Sequence, residues 1–151
     1  MILDPMKMTE ERESSALTEE EEAQRAYARA LRILAAGDNT KRMLTRKLCG
    51  RGFSPKSAEA AVAKLVAEGY IREEALLLRQ LSIYAKRLWG PKKFMPNLLE
   101  KGFDRADIMA ALARAKEEGI YDAEAVKEQL LAALPAADAA ARRAWLYKHG
   151  F

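Results

Sequence analysis

The sequence predicts an all-α fold of tandem three-helix repeats, helix-turn-helix-like units laid end to end as an elongated, curved array. Three observations predict it. Ala, Leu, Glu, Lys and Arg are abundant among the 151 residues, whereas there are only 8 Gly and 5 Pro, a balance that favours helices, and no segment alternates with β-branched residues in the manner of a strand. The run KLCGRGFSPKSAEAAV from Lys47 is echoed by LLEKGFDRADIMAAL from Leu98, so that Phe53 and Phe103 stand 50 positions apart. LYKHGF, from Leu146 to Phe151, then matches LLEKGF, from Leu98 to Phe103.

Residues 1–22 hold eight acids against Lys7 and Arg12 and show little periodicity, which predicts a disordered or frayed acidic arm whose last Glu residues cap the first helix. From Ala23 the pattern changes: Tyr27, Ala30, Leu31 and Leu34 fall at helical spacing until Gly37, Asp38 and Asn39 close the helix. Thr40 caps a second helix carrying Leu44 and Leu48, stopped by Gly50 and Gly52. Ser54 followed by Pro55 starts a third, with Ala58, Ala61, Val62 and Leu65 as its apolar stripe and Gly69 as its end.

The second repeat opens with a helix from Arg72 to Leu88, bearing Leu77, Leu81, Tyr84 and Leu88 and closed by Gly90-Pro91. Phe94 and Leu98 replace Leu44 and Leu48. Pro96 falls inside this stretch and breaks a hydrogen bond unless the helix begins near it. Asp104, with Asp107 three residues on, caps a helix carrying Ile108, Ala111 and Leu112 that ends at Gly119. A seventh helix carries Val126, Leu130 and Leu134 up to Pro135, and an eighth runs from Asp138 through Trp145 and Leu146. The predicted organisation is thus an arm over 1–22, one repeat over 23–71, a second over 72–121 and a truncated third over 122–151.

In each unit the glycine admits a positive φ, and the phenylalanine after it plugs the angle between the second and third helices, so Gly52-Phe53, Gly102-Phe103 and Gly150-Phe151 are read as structural corners. A three-helix unit of about 50 residues buries little surface alone, and neighbours are expected to share apolar faces.

Charge is unevenly spread. Outside the acidic arm the chain has 24 basic and 14 acidic residues, which suggests an anionic partner. Arg42 and Arg46 lie one turn apart, opposite Leu44 and Leu48, with Lys47 and Arg51 at the flank; Lys92, Lys93 and Lys101 recur in the second repeat; Arg79, Lys86 and Arg87 come from the fourth helix; Arg142, Arg143 and Lys148 extend the series. In a stacked array these candidate partner- or DNA-binding residues would form a ribbon following a phosphate backbone or an acidic filament rim.

Catalysis has no candidate constellation. His149 is the sole histidine and Cys49 the sole cysteine, so a zinc site is not expected, and Cys49 reads as a buried small residue. Glu73-Glu74 and Glu117-Glu118 are adjacent on helices and diverge, and no glycine-rich phosphate cradle is present. The expectation is no enzyme, no cofactor and no metal. With no apolar run of membrane-spanning length and a lone cysteine, the chain is expected in the cytoplasm, without a membrane partner, as a monomer.

The run RKLCGRGF, with its following helix ending in EGYI, and the run WGPKKFMPNLLEKGF resemble the RecX family of bacterial recombinase regulators, over residues 23–151. That resemblance implies tandem three-helix repeats and a protein that binds the RecA filament on single-stranded DNA and damps its ATP hydrolysis and strand exchange. Where the family commonly has an aspartate pair after the first repeat, this chain has Arg72-Glu73-Glu74. Two other readings remain. One is a helix-turn-helix module binding single- or double-stranded DNA without sequence preference, since the third helix offers Lys56 and Lys64 but no Asn, Gln or Arg to read base edges. The other is a helical adaptor for some other acidic protein.

Overall fold

The computed structural model describes residues 5–134 and 138–151, with side chains from Glu19 onward. It has eight helices: α1 (Pro5–Ala36), α2 (Lys41–Gly50), α3 (Pro55–Ala67), α4 (Glu73–Lys86), α5 (Pro91–Glu100), α6 (Arg105–Glu117), α7 (Ala123–Ala132) and α8 (Ala139–Lys148), and no strand among the described residues. The fold is all-α and repetitive. It divides into two compact units, Met1–Ile71 and Arg72–Phe151.

α1 begins at Pro5, well before Ala23, where the apolar periodicity starts, and so takes in most of the stretch read from sequence as an arm. The physical reason is local: between Pro5 and Ala36 the chain is rich in Glu, Ala, Leu and Arg and has neither Gly nor a further Pro to stop a helix. Residues 1–4 lie outside the described residues, as does Pro135, read from sequence as the end of α7.

In the first unit α1 packs on α3 and α2. Its fully buried contribution is Ala26 and Ala30, while Tyr27, Leu31 and Leu34 of the predicted stripe are only partly buried against the same core. Ala26 and Ala30 of α1 share this core with Ala58 and Ala61 of α3, small residues of the kind that permit close packing of helices. Leu44, Leu48 and Leu65 are completely buried, and each contributes about 1.5–3 kcal/mol. Thr40 accepts from the Met43 amide at 3.1 Å and Ser54 from the Ser57 amide at 3.2 Å, the two caps expected from sequence. Cys49 is partly buried against this core.

The second unit keeps the plan with larger side chains. Leu77, Leu81, Tyr84, Phe94, Leu98, Phe103, Ile108, Ala111 and Tyr121 form its core. Where the first unit has Leu44, Phe94 stacks on Tyr84 at 5.1 Å and meets Tyr121 edge-on at 5.2 Å. Asp122 and Asp138 cap α7 and α8 through Glu124 and Ala141 amides at 3.0 and 2.7 Å. Asp104 stands at the N-cap of α6 without a side-chain capping bond, contrary to the expectation. α5 begins at Pro91, five residues before Pro96, so Pro96 is interior and removes the amide that would bond the Lys92 carbonyl.

The corners repeat closely. Gly52, Gly102 and Gly150 have φ of 95°, 95° and 93°, and in each case the next residue's amide reaches back to a leucine carbonyl: Phe53 to Leu48 at 3.2 Å, Phe103 to Leu98 at 3.2 Å and Phe151 to Leu146 at 2.9 Å. This is the Schellman arrangement that ends a helix on a left-handed residue. Phe103 is buried, whereas Phe53 and Phe151 are partly buried. α4 ends the same way on a residue that is not glycine: Leu88 has φ 58°, and the Trp89 amide bonds the Tyr84 carbonyl at 3.0 Å.

Candidate interface for an anionic partner

The basic residues singled out from sequence fall into distinct groups. In the first unit Arg42 and Arg46 are exposed on α2, away from Leu44 and Leu48. Lys47, also on α2, and Arg51, its C-cap, instead face α1 across a hollow of about 540 Å³ whose lining includes Arg29, Arg32, Asp38 and Asn39. Lys47 Nζ donates to Asn39 Oδ1 at 2.6 Å, and Asn39 Nδ2 donates to the Gly37 carbonyl at 3.1 Å, so the turn after α1 holds one wall of the hollow in place.

Arg29 and Arg32 escaped the sequence reading. The signal was present, because they lie i, i+3 on the polar side of the first helix, but nothing in a one-dimensional pattern shows that this side turns toward the flank of the second.

In the second unit the cations gather on aromatic rings. Trp89 stacks on Tyr84 with centroids 5.3 Å apart; Lys93 Nζ lies 4.5 Å and Arg87 Cζ 5.4 Å from the Trp89 ring centroid. Such contacts are each worth about 0.5–1 kcal/mol at exposed sites. They position two positive charges beside Lys86 and Lys92, which are exposed at the adjoining ends of α4 and α5. Tyr121 Oη donates to the Trp89 carbonyl at 2.7 Å and so fixes the corner from beneath. Burial, with the Asp122 charge beside it, raises the Tyr121 pKa above the ordinary tyrosine value, keeping it a donor.

Lys101 turns away from this cluster and donates to Gln80 Oε1 at 3.0 Å, and Arg79 is exposed on α4. Arg142 and Arg143 are exposed on α8, while Lys148 lies 5.8 Å from the Trp145 ring. The tertiary structure therefore brings Lys47 and Arg51 together with Arg29 and Arg32, and Arg87 together with Lys93.

Glu22, at the end of the acidic stretch, does not cap its own helix. Its Oε1 accepts from the Ser54 amide at 2.6 Å, joining α1 to the start of α3. Beside it Glu21, Arg25, Arg51, Gly52 and Phe53 line a smaller cleft of about 180 Å³. The described residues contain no group of three or more His, Cys, Asp or Glu able to hold a metal, and no helix among them is long and apolar enough to cross a membrane.

Residues 26–65, from within α1 to within α3, match the family model described as RecX, first three-helix domain. Regulatory protein RecX of Pseudomonas syringae pv. tomato (strain ATCC BAA-871 / DC3000) is 36% identical over 99 residues, covering 66% of this chain and 62% of that one. This chain carries a RecX first three-helix domain. Regulatory protein RecX of Pseudomonas savastanoi pv. phaseolicola (strain 1448A / Race 6) is 37% identical over 83 residues, 55% of this chain and 54% of its own length. The chain thus spans between half and two thirds of these RecX relatives. Among solved structures, a crystal structure of regulatory protein RecX superposes with a TM-score of 0.70 at 21% identity, covering 100% of this chain and 74% of that one, and RecX from Lactobacillus salivarius with 0.62 at 19%, covering 87% and 89%. These two bear on the fold. All four cations of the first-unit hollow lie inside the segment matched to the RecX first domain.

Proposed function

We propose that this chain modulates the RecA recombinase, as an inhibitor, by binding along the RecA filament on single-stranded DNA and damping its ATPase and strand exchange in recombination and repair. Its action is binding rather than catalysis. The observation that carries the reading is the match of residues 26–65 to the RecX first domain, together with a relative named regulatory protein RecX that aligns over 66% of the chain. The clustered cations at Trp89 and in the first-unit hollow supply the charge an acidic filament surface or its DNA would meet.

The test is a titration of the chain into a RecA ATPase assay driven by single-stranded DNA. Hydrolysis falls as the chain is added, and the triple variant Lys92→Glu, Lys93→Glu, Lys101→Glu loses the effect while keeping its helical circular dichroism. Unchanged hydrolysis at saturating wild-type chain refutes the proposal.

The competing helix-turn-helix reading has one feature in its favour, the GRGFSP turn between α2 and α3. Against it, Lys64 of α3 lies 4.4 Å from the Tyr27 ring centroid and so packs back on α1, leaving Lys56 as the other basic side chain of a would-be recognition helix. Gel shifts that separate one duplex sequence from another by more than about tenfold would instead favour a sequence-reading module of this type over the RecA reading, whereas salt-sensitive binding without preference fits either.

A further inference from the structure

We propose that the hollow between α1 and α2 is a phosphate site that takes successive phosphodiesters of a single nucleic-acid strand. This goes beyond the reading above, since it requires no RecA. Two walls each present a pair of cations one turn apart: Arg29 and Arg32 on α1, Lys47 and Arg51 at the end of α2. Helix geometry sets each pair about 4.5–6 Å apart along its axis. Of the lining residues only Asp38 is acidic, although Arg51 also borders the smaller cleft that Glu21 and Glu22 line. Arg29, Arg32 and Arg51 have no hydrogen-bond or ion-pair acceptor for their guanidinium groups among the described residues, while Lys47 is steadied by Asn39.

Ile33, Ala36 and Gly37 complete the lining. A concave surface focuses the combined field of four cations outward. Guanidinium forks match phosphate oxygens in pairs. A lone small anion would engage one pair, whereas consecutive phosphates engage both walls. A flexible strand can bend into such a concavity, but a duplex, stiff over about 150 base pairs, cannot.

The arrangement is particular to the first unit. Fifty positions on, Arg29, Arg32, Lys47 and Arg51 become Arg79, Ser82, Asn97 and Lys101, and Lys101 is turned to Gln80. The hollow is therefore a feature added to the repeat rather than a by-product of its packing.

The experiment is fluorescence anisotropy of a labelled oligothymidylate with the full chain and no RecA. Arg29→Ala/Arg32→Ala is expected to weaken binding about tenfold or more and to reduce the slope of log affinity against log salt by about 1.4, two cations at about 0.7 each for a single strand. Lys47→Ala/Arg51→Ala, from the other wall, should do the same, and guards against misfolding of the first pair. Lys56→Ala on exposed α3 should leave affinity within twofold. Sodium tripolyphosphate should compete, and a peptide nucleic acid of the same sequence, lacking phosphates, should not bind. The proposal is overturned if the wild-type chain does not bind the oligonucleotide, if both wall variants bind within twofold of wild type, or if the neutral strand binds equally well. A hairpin duplex that binds more tightly than the strand and loses as much in the wall variants overturns the single-strand assignment.

Discussion

Gly90 and Gly150 meet backbone to backbone: the Gly90 amide donates to the His149 carbonyl at 2.6 Å, and the Lys92 amide donates to the Gly150 carbonyl at 3.0 Å. The start of α5 has no side-chain cap, and the carbonyls of the third Gly-Phe corner satisfy its amides instead. Neither glycine has room for a side chain. A Cβ on Gly90 would lie 2.9 Å from Phe151 Cδ1 and closer still to Gly150, and one on Gly150 would lie 2.6 Å from the Lys93 nitrogen.

Gly90→Ala should therefore destabilise the second unit by about 2 kcal/mol, the range of overpacking against a fixed backbone. Urea unfolding followed by hydrogen exchange should show lowered protection in α5 and α8, with α2 and α3 unchanged. Gly52→Ala differs in kind. Its Cβ meets nothing within 4 Å, so its cost is that of a positive φ alone, about 1 kcal/mol.

Glu22→Ala should lower the stability of the first unit by about 1.5 kcal/mol, because it leaves the Ser54 amide without its charged acceptor. Glu22→Gln should cost less, since a neutral amide oxygen still accepts. Chemical denaturation monitored at amides of α3 checks both.

Pro96→Ala should stabilise the second unit. The substitution restores a hydrogen bond to the Lys92 carbonyl at an exposed interior position of α5, where proline is less favourable than alanine by about 3 kcal/mol. A raised urea midpoint with an unchanged m-value is the expected result.

Alkaline pH should loosen the second unit. Tyr121 and Tyr84 both have pKa values raised by burial, with Arg87 opposing the shift at Tyr84. In the unfolded chain they ionise near the ordinary value of about 10. Their contribution to stability is therefore complete below that pH and is lost as pH rises toward the folded values. Thermal unfolding between pH 9 and about 11 should show the decline, and Tyr121→Phe should flatten it. At neutral pH the same substitution should cost about 1 kcal/mol for the bond to the Trp89 carbonyl.

Helix identity, most caps and the spacing of the corners were legible in the sequence, because each depends on neighbours within a turn or two. Thr40 caps α2 and Ser54-Pro55 starts α3 whatever surrounds them. The apolar stripes Leu44 and Leu48 on α2, and Ala58, Ala61 and Leu65 on α3, were readable for the same reason, since helical period alone puts each set on one side of its helix. The site was only half legible. Lys47 and Arg51 were visible as a cationic flank, but their partnership with Arg29 and Arg32 depends on how α1 lies across α2, and the burial of Ala26 and Ala30 in place of the bulkier stripe sets that rotation.

Determined by the sequence itself were an all-α chain, its repeat and its three left-handed glycine corners. Hydrogen bonds between residues a few positions apart fix these, and they need no distant partner. Tertiary structure alone decided which cations share a hollow, that Trp89 carries Arg87 and Lys93, and that Gly150 closes against Gly90 rather than merely turning the chain. Each of those depends on the side of a helix that packing turns inward, which is a balance of contacts among segments far apart in sequence.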